Sequence, residues 1–337
     1  MPACDRVDRE TGLRPDISVI VCTRNRASSL KITLEHLAAA DRDGIKAEVV
    51  VADNGSDDDT REVAQSFSGR IALRYLYEPT LGVFGKSHAL NRALDAGELG
   101  EIIAILDDDM TVQPGWFQGV AAICRRWPDK DLFTGDTYVI WPCENVPAWA
   151  KKQSLQGGIF SSVRVGEPDA ALENGYWFPG GHFWFRSRLL KLGRRFQDTW
   201  LTEPDFQLNF TEAGFSGVAA PDASAGHRIQ PELLDQRVVL ARARKAAEKA
   251  WVRLRPYRKN VRHSRLFHEH PLAARLFCLL NYFWWRIVYL VTWFHPSENV
   301  RFGNRLLAVE RMTTAIGYFR ASRGCPEYFL WRRGASQ

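Results

Sequence analysis

A chain of 337 residues with 45% hydrophobic and 25% charged content can bury a sizeable core and has the composition of neither a disordered nor a fibrous protein. Its net charge of +6 is unevenly spread: between Arg237 and Arg265 the one acid among many Lys and Arg is Glu248. No nucleic-acid motif accompanies that charge, so nucleic acid is disfavoured as a partner, and an anionic membrane surface or a phosphorylated substrate fits better.

The opening residues 1–15 are polar and expected to be ragged. Ile17 to Cys22 then reads as a buried strand, followed by the polar turn Thr23-Arg24-Asn25-Arg26. Ser28 or Ser29 is placed to cap a helix carrying Leu30, Leu34 and Leu37 on one face. A second strand, Ala47 to Ala52, ends in the turn-prone Asp53-Asn54-Gly55-Ser56, and a helix at Thr60–Ser66 leads to a third strand near Ile71–Tyr77. The Gly82–Lys86 turn introduces a helix from about Ser87 to Ala96, and Ile102–Leu106 is a fourth strand. Alternating strands and helices at this spacing argue an α/β fold with a Rossmann-like, mostly parallel sheet. After Trp116 the pattern loosens, and Trp127 to Val165 suggests loops and short strands.

The fourth strand breaks abruptly into Asp107-Asp108-Asp109. Two carboxylates about 6 Å apart repel by roughly 3 kcal/mol at an effective dielectric near 20, so such a cluster calls for a cation, protons or full solvation. An acidic turn in water is the plain alternative, but ligands of open α/β sheets bind beyond the carboxyl ends of strands, where this cluster falls. No stretch reads G-x-G-x-x-G or G-x-x-x-x-G-K-[ST], so a diphosphate brought here would need a bridging divalent cation. Oxygen ligands suit Mg²⁺ or Mn²⁺. Further on, Gly180-Gly181 forms a tight turn entering a strand, and Glu203 and Asp205 precede a helical stretch that Gly214 would close. Both acids also suit the positive end of a helix macrodipole. His227 falls in the short polar stretch Gly226-His227-Arg228, expected to be a loop.

Five segments in this order resemble the family 2 glycosyltransferases of GT-A fold: ISVIVCTRNR, VVVADNGSDDDT, LDDDM, FPGGHFWFRSRLL and LTEPDFQLNFTEAGF. The resemblance covers about Ile17 to Gln230 and implies a domain at 16–230, after a disordered 1–15 and before a basic, aromatic helical region at 231–337. It implies that Thr23, Arg24 and Asn25 line the nucleotide, that Asp53 accepts a hydrogen bond from the base, and that Asn91 lies near the donor. Asp107 would touch the ribose or sugar with Asp108 beside it on the donor side, while Asp109, joined by His227, would hold the metal. The family's acidic pair before the helix stands here as Thr202-Glu203-Pro204-Asp205; ungapped counting back from Ala213-Gly214-Phe215 puts Glu203 at the base position, with Asp205 in reserve. The implied activity is inverting transfer from a nucleotide-diphosphate sugar, UDP-linked in the simplest case, to a saccharide or lipid-linked acceptor in polysaccharide or glycolipid synthesis. A nucleotide-sugar-binding scaffold without turnover, or a membrane-binding partner protein, is the rival.

Leu233 to Arg255 reads as a basic helix. Leu276 to Phe294 has Arg286 as its one charge and is dense in Trp, Tyr and Phe. Three readings compete for it: peripheral contact with a membrane, a packing helix, and a transmembrane span, which Arg286 disfavours. Cysteines at 4, 22, 124, 143, 278 and 325 show neither metal spacing nor a disulfide framework, and no secretory signal is evident. The expected location is the cytoplasm, at the inner face of the membrane.

Overall fold

The computed structural model describes residues 14–82, 85–151, 160–162, 170–172, 178, 180–198, 202–211, 213–248 and 270–322. The expectations for the N-terminal residues before 14 and for the basic stretch beyond 248 fall outside them. The chain divides into two compact units, 1–140 with 160–229, and 141–159 with 230–337.

In the first unit the elements run β1 (Ile17–Thr23), α1 (Ala27–Ala39), β2 (Ala47–Asp53), α2 (Thr60–Gln65), β3 (Ala72–Tyr77), α3 (Gly85–Leu94) and β4 (Ile102–Asp107). Then come β5 (Met110–Val112), α4 (Trp116–Arg126), β6 (Leu132–Thr134), β7 (Thr137–Ile140), β8 (Ala170–Leu172), β9 (His182–Arg186), α5 (Thr202–Thr211), β10 (Gly217–Ala219) and β11 (Ala225–Arg228). An eight-stranded sheet has the order β3-β2-β1-β4-β9-β6-β10-β8. Strands β3, β2, β1 and β4 are parallel, and β9 enters antiparallel against β4. The sheet is mostly parallel and flanked by helices, as the alternation of the sequence requires. A small sheet, β5-β11-β7, lies at its carboxyl end.

The strands are apolar at successive positions because both faces are covered. Val19, Val21, Val49, Val51 and Ala104 pack with Leu30, Leu34 and Leu37 of α1, while Ile20, Val50, Ile103 and Ile105 face Ala89 and Leu90 of α3 and Phe206 and Phe210 of α5. Helix α4 is regular where the sequence reading saw only loosening; its buried Trp116, Phe117, Val120, Ile123 and Cys124 recur at helical spacing. Two local expectations are corrected. Neither Ser28 nor Ser29 caps α1: the Ala27 amide is satisfied by Asp58 Oδ2 at 2.9 Å, and Ser29 Oγ donates to the Asp108 carbonyl instead. His227 is not in a loop but on β11, buried between β5 and β7.

In the second unit a short 3₁₀ turn (Pro231–Leu234) precedes α6 (Gln236–Glu248). Helix α7 (Pro271–Val291) follows, and a 3₁₀ turn (Thr292–Phe294) leads into α8 (Glu298–Ser322). Helix α8 folds back on α7 and also touches α6.

Candidate active site

Strand β1 lies between β2 and β4, so chain direction reverses its progress across the sheet beside the β1 tip. A crevice opens at such a point. Register pairs Thr23 with Asp53 on one side and Cys22 with Asp107 on the other. Beyond Asp107 the chain turns sharply into β5, which forces three consecutive carboxylates into one small volume.

That acidic turn is tied down on every side. Thr23 Oγ1 donates to Asp108 Oδ2 at 2.7 Å, and Arg26 bridges Asp108 Oδ1 at 2.6 Å and Asp109 Oδ2 at 2.9 Å. Thr33 Oγ1 and Arg228 Nη2 donate to the Asp108 carbonyl at 2.7 and 2.9 Å, so the backbone of the turn is held from α1 and β11 together. Burial pushes Asp108 up to about 6, with Asp109 and Asp107 adding to it, against the pull of Arg26 and the hydrogen bond from Thr23. Burial also opposes ionisation of Asp109, but His227 and Arg26 outweigh it and hold that carboxyl well below the usual range.

The Nδ1 of His227 lies 2.6 Å from the Phe160 carbonyl, which makes Nδ1 a donor and turns Nε2 towards Asp109 Oδ1 at 3.6 Å. Asp109 Oδ1 is itself buried with no hydrogen-bond partner. A divalent cation that displaced the Nε2 proton would find this buried carboxylate oxygen beside an imidazole lone pair, a donor set that fits it. Among the described residues no three His, Cys, Asp or Glu side chains are grouped as a complete protein cage. A cation here would need oxygens from another source.

The second half of the site comes from α5. Glu203 Oε1 meets Lys86 Nζ, which also contacts Asp107 Oδ1 at 2.8 Å. One ammonium therefore joins the β4 tip to the first turn of α5. Burial works against the Lys86 charge, but Asp107 and Glu203 raise its pKa well above the ordinary value. The Gly180-Gly181 turn forms the floor: a methyl on Gly180 would lie 2.9 Å from the Glu203 side chain, and one on Gly181 would lie 2.5 Å from Asp107 Oδ2. Gln207, one turn along α5, accepts from the Phe178 amide at 2.7 Å and donates to its carbonyl at 3.1 Å, locking that turn to the helix. Phe206 stacks on Phe196 with centroids 4.0 Å apart and anchors α5 in the core.

Glu203 and Asp205 are about 200° apart around a helix, so only one of them can face the crevice. Glu203 does; Asp205 is 1% exposed. Asp53 is also committed, accepting from the Ser56 amide at 2.9 Å and from the Tyr75 hydroxyl. Asn25, at φ +50, donates its backbone amide to Ser56 Oγ and accepts the Asp57 amide on Oδ1, which ties the first two strand-end turns together. Arg24 is exposed. Asn91 is turned to other work: both ends of its amide engage the Phe196 backbone at 2.8 Å, clamping α3 to the loop before α5 rather than reaching the aspartates. Arg26, Lys86 and Arg228 escaped the sequence reading. Adjacency to an expected site residue marked Arg26 and Arg228, and the Gly82–Lys86 turn marked Lys86; their carboxylate and carbonyl partners lie far along the chain.

The glycosyl transferase family 2 model matches residues 18–189, just over half of the 337-residue chain and all of the crevice except Glu203 and the β11 residues. The chain belongs to that family. Validoxylamine A glucosyltransferase from Streptomyces hygroscopicus subsp. jinggangensis is 34% identical over 32% of this chain, and the match spans 25% of that protein. The hyaluronan synthase of Pasteurella multocida is 30% identical over 37% of this chain and 13% of its own length. Among solved structures, a mannosyltransferase from Pyrobaculum calidifontis in complex with GDP-Man and Mn²⁺ superposes with a TM-score of 0.58 at 20% identity, covering 90% of this chain and 88% of that one. S. aureus TarS 1-349 in complex with UDP-GlcNAc gives 0.51 at 18% identity, covering 95% and 92%. These structures share the family's fold.

Proposed function

We propose that this family 2 enzyme transfers a sugar from a nucleotide-diphosphate donor, most simply a UDP-sugar, to an acceptor hydroxyl with inversion at the anomeric carbon. The observation that carries the reading is the meeting of Asp107 and Glu203 on Lys86, which brings a carboxylate of α5 to the strand tip where family members bind their donors. The neighbours solved with GDP-Man and Mn²⁺ and with UDP-GlcNAc support a sugar nucleotide and a divalent cation. Thr23, Arg24, Asn25 and Asp53 are the proposed nucleotide contacts, and Asp107 and Asp108 face the sugar side. Asn91 acts on this reading by shaping the α3 border rather than by touching donor.

Asp109 and His227 would hold Mg²⁺ or Mn²⁺, with the donor's phosphate oxygens completing its shell. Such an ion would supply Lewis-acid stabilisation of negative charge on a departing diphosphate. Glu203 accepts the acceptor's hydroxyl proton on a carboxylate oxygen. The freed oxygen attacks the anomeric carbon from the face opposite the phosphate, and the nucleoside diphosphate leaves with the electrons of the broken C–O bond. Lys86 holds Glu203 at the β4 tip through its ion pairs with Glu203 and Asp107, and Arg26 offsets the negative charge of Asp108 and Asp109. Asp205 stays in the helix interior.

The remaining features of the reading are a catalytic domain at 16–230, a saccharide or lipid-linked acceptor, and a cytoplasmic location at the inner membrane face with contact through 276–294. The exposed apolar side chains of α7 support that contact. To test the activity, purified protein is mixed with Mn²⁺ or Mg²⁺ and a panel of nucleotide sugars, and released nucleoside diphosphate is measured. Release that depends on one donor and vanishes in Asp109→Ala is expected; release unchanged by that substitution sinks the reading.

A further inference from the structure

Helix α7 is amphipathic in an inverted sense. Ala274 and Cys278 are buried on its inner side, while Leu276, Leu280, Phe283, Ile287 and Leu290 share the opposite face at helical spacing, Phe294 of the following 3₁₀ turn extends that face, and all six are 55–85% exposed. Successive members of that stripe lie three or four positions apart, so they form one continuous apolar surface about 25–30 Å long at 1.5 Å per residue. Contiguous apolar surface on this scale marks an interaction site. By length and composition alone the segment Pro271–Phe294 could also cross a bilayer.

Resting on the membrane contact proposed above, we propose that the α7–α8 pair lies flat in the headgroup region of an anionic bilayer, with the α7 stripe in the acyl boundary, and does not span it. Three observations lead there. First, α8 folds back along α7 and carries Glu310 and Arg311 at the middle of its length. A spanning α7 would drag these ionised groups into hydrocarbon, which an in-plane pair avoids. Second, Arg286 is not in the centre of the apolar stripe but at its edge, where its Nη1 donates to the Tyr282 hydroxyl at 3.3 Å; on the wheel Arg275 falls on the same edge. Third, the far end of α7 is an arginine–aromatic cluster: Arg305 donates to the Tyr289 hydroxyl at 2.9 Å and lies 4.8 Å above the Trp293 ring. Amphipathic rings beside guanidinium groups suit the headgroup level.

Charge favours lipid over a second copy of the chain. Helix α7 contains no acid, so a two-fold pairing of these faces would set the Arg275–Arg286 edge against groups of its own sign or against apolar surface. Anionic headgroups complement that edge directly.

The test uses the full chain and vesicles of phosphatidylcholine alone or mixed with phosphatidylglycerol, read by flotation. Binding is expected on the mixed vesicles, falling about tenfold on the neutral ones. The triple variant Leu276→Glu/Phe283→Glu/Ile287→Glu should abolish it while nucleoside diphosphate release in solution persists, which reports that the fold is intact. Arg286→Glu, a milder change, should weaken binding to mixed vesicles only. Protein expressed in cells should be stripped from the membrane fraction by alkaline carbonate. No flotation of the wild-type chain overturns the membrane contact itself. Flotation indifferent to Arg286→Glu and to lipid charge overturns the anionic surface, and resistance to carbonate overturns the in-plane arrangement alone. A dimer in size-exclusion chromatography that the triple variant dissociates, with no vesicle binding, assigns the stripe to a second copy and overturns the proposal.

Discussion

At the scale of single residues, the site is a set of shared charges in which Arg26 and Lys86 each serve two carboxylates. Glu203→Gln should keep donor binding, measured by calorimetry, and lower turnover by about 10²–10⁴-fold, the usual contribution of a general base. Asp205→Asn should affect thermal stability more than the chemical step, because its side chain is enclosed. Lys86→Met leaves Asp107 and Glu203 facing one another without their common ammonium. Turnover should fall more than donor affinity, and Lys86→Arg should restore part of it. Gly181→Ala should also be damaging, since the added methyl competes with Asp107 Oδ2 for the same space.

Among the elements, α5 matters most because it carries the proposed base while being buried almost all round: Phe206, Leu208 and Phe210 are each 0% exposed. Pro204 is tolerated in its first turn, where no intrahelical donor is lost. Phe206→Ala should cost about 3–5 kcal/mol in denaturant unfolding, as large-to-small changes in aromatic cores do. Gln207→Leu leaves the Phe178 amide and carbonyl without their partner and should cost about 1–3 kcal/mol. It should also loosen the Gly180-Gly181 floor, so its kcat should fall further than the loss of folded protein explains.

For the whole molecule, the proposed cation joins donor to protein rather than joining parts of the protein. Chelation should therefore abolish nucleoside diphosphate release and leave the unfolding midpoint nearly unchanged, with Mn²⁺ restoring activity to the wild type but not to Asp109→Ala. A chelator that unfolded the protein would instead make the ion structural, and thermal melts with and without it decide the matter.

The sequence by itself determined the strands β1, β2 and β4, because a parallel strand covered on both faces must be apolar at every position, and that run is visible without coordinates. It also determined the acidic turn at Asp107–Asp109, since three carboxylates ending such a run have no packing explanation. Helix α4 was legible in principle from the spacing of Trp116, Val120, Ile123 and Cys124, but its neighbours of irregular sequence hid it. The tertiary structure alone decided which cation meets which acid, since Lys86 and Glu203, or Arg228 and the Asp108 carbonyl, are distant along the chain and no local pattern records such a pairing. It alone placed His227 on a strand, for a four-residue segment gains its conformation from β5 and β7 beside it rather than from its own composition. Counting along the sequence already favoured Glu203 over Asp205, but which of the two faces the crevice depends on how the helix docks, because helical phase becomes a direction only then.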